Sequence, residues 1–109
     1  MRSNAPMCEA FRANIGVLGT SYMSAEEEAK LPGGSTDMGN VSRLVPSIHP
    51  KFMIETEFSN HHPGFTSRSN LPDAHERALR AGKAMACTVL DMMASPELME
   101  SVQHAFSLQ

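Results

Sequence analysis

The chain has no tryptophan, a single tyrosine and only two cysteines in 109 residues. It is also short of the side chains that fill interiors: 8 Leu, 3 Ile, 5 Val and 5 Phe make 21 of 109, a share that approaches the disordered range. The net charge of −3 is too small for that class, because such disorder needs strong self-repulsion as well as weak hydrophobicity. Much of the 41% hydrophobic total is instead Met and Ala, which pack adaptably and specify a unique core less sharply than branched residues. A chain of this length buries roughly two thirds of the surface its unfolded form exposes. One small domain with a modest core is expected, and the composition suggests part of something larger.

Other absences narrow the function. No run of Lys and Arg occurs, so there is no electrostatic footprint for nucleic acid or an anionic membrane, and neither is expected as a partner. No stretch of about 18 apolar residues is present, and the N-terminus has no apolar segment long enough for a signal peptide. The expectation is a cytoplasmic protein. Cys8 and Cys87 lie far apart in apolar helical patterns, the pattern of buried reduced thiols rather than of a disulfide. Neither has an adjacent base, which leaves nucleophilic catalysis without support.

Three helices are written into the periodicity. Met7, Ala10, Phe11, Ile15 and Leu18 fall at helical spacing and Gly19 is placed to stop the helix. From Pro72 to about Ala94, the residues Ala78, Gly82, Met85, Ala86, Val89 and Met93 step along one face, widened by Leu79 and Leu90. Asn70 suits its N-cap, with Asp73 and Glu76 set against the helix dipole, and its small residues would allow close approach to a flat surface such as a sheet. Ser95 then caps a last helix opened by Pro96, with Leu98, Val102 and Phe106 at successive i+4 positions. Between the first two, Ser24 with Glu27 forms a capping-box pattern ahead of a short acidic turn that Leu31 and Pro32 would end. The proline-bordered apolar runs Leu44 to Ile48 and Phe52 to Ile54 read as two brief strands. Two strands alone make no stable sheet, so they would need partners from elsewhere.

The chain is organised around the stretch from Gly33 to Phe65, which holds three of the five histidines. Gly33 and Gly34 free the backbone for a tight turn and for close approach of a ligand. Ser35, Thr36 and Asp37 offer side-chain oxygens that either cap the short helical turn after them, with Ser35 or Asp37 as the capping residue, or hold a polar group of a substrate; for Asp37 the two roles are evenly matched. His61 and His62 precede Pro63, which biases His62 towards an extended conformation. A zinc-like ion is one use for them, with His49 and Asp37 nearby in space. Spacing favours ordinary loop histidines instead, since adjacent side chains in an extended segment point in opposite directions. His75 and His104 read as solvated helical residues, and Arg43 as either a carboxylate ligand or an exposed side chain.

The strings GSTDMGNVSRLVPSIHP, FSNHHPGF and AHERALRAGKAMACTVLDMMASPEL together resemble the C-terminal part of the catalytic domain of zinc-dependent aminoacylase/carboxypeptidase-family peptidases. The branch they resemble takes in amidohydrolases of aminobenzoyl-glutamate and hippurate and dipeptidases of β-alanyl dipeptides with a basic C-terminal residue. The resemblance runs from about Met7 to Phe106. It implies an α/β fold, a partial three-layer α/β/α catalytic domain in which this chain gives two short strands and a long C-terminal helix pair. It also implies a two-metal site with His61 as the last metal ligand and Gly34, Ser35, Thr36 and Asp37 lining the substrate pocket. In that family the metals polarise the amide carbonyl and activate water while a glutamate acts as general base. The remaining ligands, the base and the domain that forms the family's homodimer have no counterpart among these residues.

Two functions of different class follow as expectations. One is a segment of a metal-dependent dipeptidase or amidohydrolase that acts on dipeptides or N-acyl amino acids, inactive and without bound zinc on its own. The other is a non-catalytic module whose small-residue helix docks on a partner or a full-length paralogue. A weaker third is a small zinc-binding domain built from His49, His61, His62 and a cysteine.

Overall fold

The computed structural model describes residues 1–28, 30 and 34–109. The described residues form six helices in chain order: α1 Ala5–Val17, α2 Ala25–Glu28, α3 Met38–Val41, α4 Pro63–Ser69, α5 Pro72–Ala94 and α6 Pro96–Ser107. No strand is present among them. The expected α/β class with its three layers is therefore corrected to an all-helical arrangement. The two runs read as strands lie in turns and irregular chain. Pro46 and Pro50 remove backbone donors there, and Leu44, Val45, Phe52 and Met53 are exposed, with no neighbouring ladder to receive them.

The long helices start and stop where local chemistry says they should. Asn4 caps α1 by accepting from the Met7 amide at 3.3 Å, and Gly19 follows its end at φ 81, a conformation open to glycine without a steric penalty. Ser95 caps α6 by accepting from Leu98 N at 3.1 Å. The capping box at α2 is formed in both directions: Glu27 N donates to Ser24 Oγ at 3.3 Å, and Ser24 N donates to Glu27 Oε2 at 2.8 Å. Hydrogen bonds from the Ser24 backbone and side chain hold the Glu27 carboxyl below its ordinary pKa. Leu31 and Pro32, expected to end this turn, lie outside the described residues, as does Gly33. One cap differs from expectation. Asn70 closes α4 rather than opening α5, and Leu71 takes the N-cap of α5 without a side-chain bond.

Helices α1, α5 and α6 pack on one another, and α4 leans on α5. The core is small: Phe11, Ile15 and Ala84, with Leu18, Tyr22 and Ile48 partly buried around them. Phe11 meets Tyr22 edge to face at 5.4 Å between ring centres. Buried polar groups tie the ends of the chain together. Asn4, 1% exposed, donates from Nδ2 to the Val102 carbonyl at 2.9 Å and from its backbone to the Ser47 carbonyl at 2.9 Å. Thr88 is buried on α5, where it accepts from Asn14 Nδ2 at 3.3 Å and donates to the Ala84 carbonyl at 2.8 Å.

Helix α5 has two apolar faces, and the chain covers the one with smaller side chains. Ala74, Ala81, Ala84 and Thr88 are buried, Ala84 with Phe11 and Ile15 of α1 and Thr88 against Asn14 of α1. The stripe expected to be covered is open, with Leu79, Met85, Val89, Leu90 and Met93 between 46% and 76% exposed. Cys87 is likewise exposed, and Cys8 half-buried, which corrects the expectation of two buried thiols. The radius of gyration, 15.0 Å, exceeds the roughly 13 Å of an ordinary domain of this length. Long helix and small core together account for that.

Candidate functional site

The histidine pair is divided between two jobs. His62 sits extended at φ −89, ψ 140 and caps α4, its Nδ1 accepting from the Gly64 amide at 3.0 Å. An acceptor nitrogen is unprotonated, so this bond selects the tautomer with the proton on Nε2. The ring also stacks on Phe58, with centres 4.6 Å apart and planes 4° from parallel. Gly64 makes room for this arrangement, because a Cβ there would overlap the Phe58 ring. His62 is thereby committed to structure.

His61 is different. It is exposed and takes φ 72, the only non-glycine residue at positive φ among the described residues. Residues other than Gly, Asn and Asp seldom adopt the left-handed region, although His is among those enriched there. The conformation is enforced from both sides: His62 N donates to the Ser59 carbonyl at 3.2 Å, and α4 begins immediately afterwards. Among the described residues the imidazole of His61 makes no hydrogen bond. An exposed imidazole on a constrained backbone can be offered to a ligand with little further loss of conformational freedom.

The loop of Gly34, Ser35, Thr36 and Asp37 is exposed and leads into α3. Of the hydroxyl and carboxylate groups there, it is Thr36 that caps, its Oγ1 accepting from Met38 N at 3.3 Å. Asp37 occupies the N-cap position but makes no side-chain capping bond, so its carboxylate is available where Ser35 or Asp37 was expected to cap. Among the described residues nothing lies within 4 Å of where a Cβ on Gly34 would sit. Gly34 therefore permits approach. Helices α3 and α4 do not pack on each other, and neither this loop nor His61 lines the two clefts described below.

The same holds for metal ligands. A catalytic zinc ion takes about three protein ligands with one open position, and among the described residues no three His, Cys, Asp or Glu side chains come together as such a set. The described residues do not fit a metal centre by themselves. His49 is exposed, and it borders a cleft of about 230 Å³ beside Cys8 and Arg12. His75 and His104 are exposed on α5 and α6, and Arg43 is exposed after α3. No helix among the described residues is long and apolar enough to cross a membrane.

Two features were not legible from sequence. Helix α4 is one, although Pro63 at its first position was a usable signal. The other is a cleft of about 610 Å³ between the start of α5, the segment after α1 and the irregular chain around Phe52. Its charged wall was foreshadowed by the i,i+4 spacing of Asp73 with Arg77 and Glu76 with Arg80, which form ion pairs at 2.8 and 2.6 Å.

Comparison with known proteins finds relatives named as dipeptidases. The chain is related to a segment of the dipeptidase/aminoacylase-family peptidases. In particular, it is 40% identical over 103 residues to the Xaa-Arg dipeptidase of Mus musculus, a match that covers 94% of this chain and 24% of that protein. Against the Xaa-Arg dipeptidase of Homo sapiens it is 38% identical over 106 residues, covering 97% of this chain and again 24% of the relative. The chain thus spans about a quarter of the length of the curated relatives it matches. No family model matches it, and no solved structure does.

Proposed function

We propose that this chain forms the part of a metal-dependent dipeptidase that carries its last histidine ligand, His61, and a substrate-lining loop, Gly34 to Asp37. The substrates are dipeptides with a basic C-terminal residue, or N-acyl amino acids of similar shape, and the reaction is amide hydrolysis in the cytoplasm. The observation that carries the reading is the match to proteins named Xaa-Arg dipeptidase along almost the entire chain. The left-handed backbone at His61 supports it, because strained conformations concentrate where geometry serves function. In this reading the further ligands and the general base belong to sequence outside the matched quarter. Zinc or another divalent cation is the metal class, by the chemistry of an imidazole donor. The chain alone is expected to be inactive, and any homodimer of the working enzyme forms through other sequence.

The test is a chimaera in which this chain replaces the matching quarter of the mouse relative. Release of free arginine from an Xaa-Arg dipeptide at a rate near that of the parent is the expected result. A folded chimaera that turns over no faster than buffer overturns the reading.

The open stripe on α5 favours a second reading, a module that docks on a full-length relative. Five large apolar side chains on one side of a 23-residue helix form the kind of surface that protein partners cover. Co-purification of the tagged chain with the full-length enzyme, lost on Leu79→Asp with Leu90→Asp, is the outcome this reading predicts. A chain that elutes alone at every concentration removes it.

A further inference from the structure

The 610 Å³ cleft lies within the range of small-ligand pockets, roughly 300–1,000 Å³. Its base reaches the core, since the buried Ile15 lines it, while Phe52 and Met53 line it with 46% and 70% of their surface exposed. Such side chains give an apolar seat left uncovered by the chain's own fold. The opposite wall carries two ion pairs, Arg77 with Asp73 and Arg80 with Glu76, and among the described residues its one unpaired cation is Lys51. Arg77 and Arg80 stand one turn apart on α5, and Lys51 completes the rim.

The two guanidiniums are held, and neither is exhausted. Arg77 Nε donates to Asp73 at 2.8 Å and its Nη1 to the Met53 carbonyl at 3.4 Å. Arg80 Nη2 donates to Glu76 at 2.6 Å and its Nη1 to Thr20 Oγ1 at 3.0 Å. Each guanidinium has five N–H donors, so several on each remain for a ligand. Three cations against two carboxylates leave the cleft one positive charge in excess. Fixed, fork-shaped donors beside an apolar seat suit a planar monoanion with an apolar body.

We propose that this cleft binds a small amphipathic carboxylate, with its carboxylate on Arg77 and Arg80 and its apolar body against Ile15, Phe52 and Met53. Neither His61 nor the Gly34 to Asp37 loop lines the cleft, so the proposal goes beyond the dipeptidase reading and stands or falls apart from it.

Decanoate is a suitable probe, and 1-decanol its neutral counterpart. Titration of the full chain followed by amide NMR should give saturable decanoate shifts clustered at Thr20, Phe52, Arg77 and Arg80. Decanol should bind at least tenfold more weakly, and Arg77→Gln with Arg80→Gln should weaken decanoate by tenfold or more while decanol binding stays unchanged. Equal binding of the acid and the alcohol overturns the proposal, and this comparison needs no variant to fold. Decanoate shifts confined to the open α5 stripe, or no saturation below its micellar range, overturn it as well.

Discussion

In the chimaera with the mouse relative, His61→Ala is expected to reduce dipeptide turnover by more than about 100-fold. Loss of even an outer-shell partner of a metal ligand typically costs 10–100-fold in affinity or activity, and removal of a ligand must exceed that. Metal content of the purified variant should fall with turnover. His62→Ala offers the contrast within one dipeptide unit. It removes the cap on α4 and the stack on Phe58, so it should lower stability by about 1 kcal/mol and leave most of the turnover in the folded fraction. His61→Gly separates function from structure most cleanly. Glycine adopts φ 72 without the Cβ clash that histidine suffers, so this variant should unfold at higher temperature than the parent while its turnover falls as far as that of His61→Ala. A His61→Gly chimaera that keeps both its stability gain and its turnover would show that His61 is an ordinary turn residue.

The distinction between the two histidines shows what a sequence can and cannot convey. The expectation that an adjacent extended pair points to opposite sides does not apply here, since His62 is extended and His61 lies at φ 72. Spacing alone leaves open which of the two serves a site, and the resemblance points to His61; that Phe58 and Gly64 engage His62 is a tertiary feature no local signal announces. Helices α1, α5 and α6 were legible because their periodicity extends over three turns or more and Gly19 and Ser95 mark the end of α1 and the start of α6. Helix α4, seven residues with a histidine cap, is too short for a period to emerge from its flanks. The strands failed for a different reason. Short apolar runs state that a segment seeks cover without stating what covers it, and here Leu44, Val45, Phe52 and Met53 have none.

The same ambiguity governs the faces of α5. Its larger apolar residues make the more prominent stripe in sequence, and burying them would remove the most surface from water. The chain instead covers Ala74, Ala81, Ala84 and Thr88, because small residues let α1 and α6 approach the helix closely. Apolar periodicity marks a face that seeks cover and cannot say whether this chain's own core or another surface supplies it. The cleft was illegible on topological grounds, as its lining comes from three segments separated by tens of residues. Only the Asp73–Arg77 and Glu76–Arg80 spacing was local enough to read.

Because so little is buried, Phe11→Ala is expected to unfold the chain or bring it close to unfolding. Truncation of a buried Phe typically costs about 3–5 kcal/mol through lost transfer energy and the cavity left behind. The total for 109 residues is roughly 5–15 kcal/mol, and the lower end suits a chain whose described residues bury six apolar side chains, three of them alanines. Phe11 is 2% exposed and supports Tyr22 edge to face. Tyr22 in turn accepts a hydrogen bond from Lys51 N at 3.0 Å through its hydroxyl, so the segment that carries Phe52 into the cleft is anchored through the same ring. Phe11→Ala should therefore loosen the cleft before it releases α1 from α5 and α6. Urea titrations should show the midpoint fall by most of its value, with decanoate affinity lost at lower urea than helical signal. Leu79→Ala is the matched control: at 66% exposed it should change stability by no more than about 0.5 kcal/mol. If the two variants shift the midpoint equally, the core is not centred on Phe11 and the helices are held together by the polar ties of Asn4 and Thr88 instead.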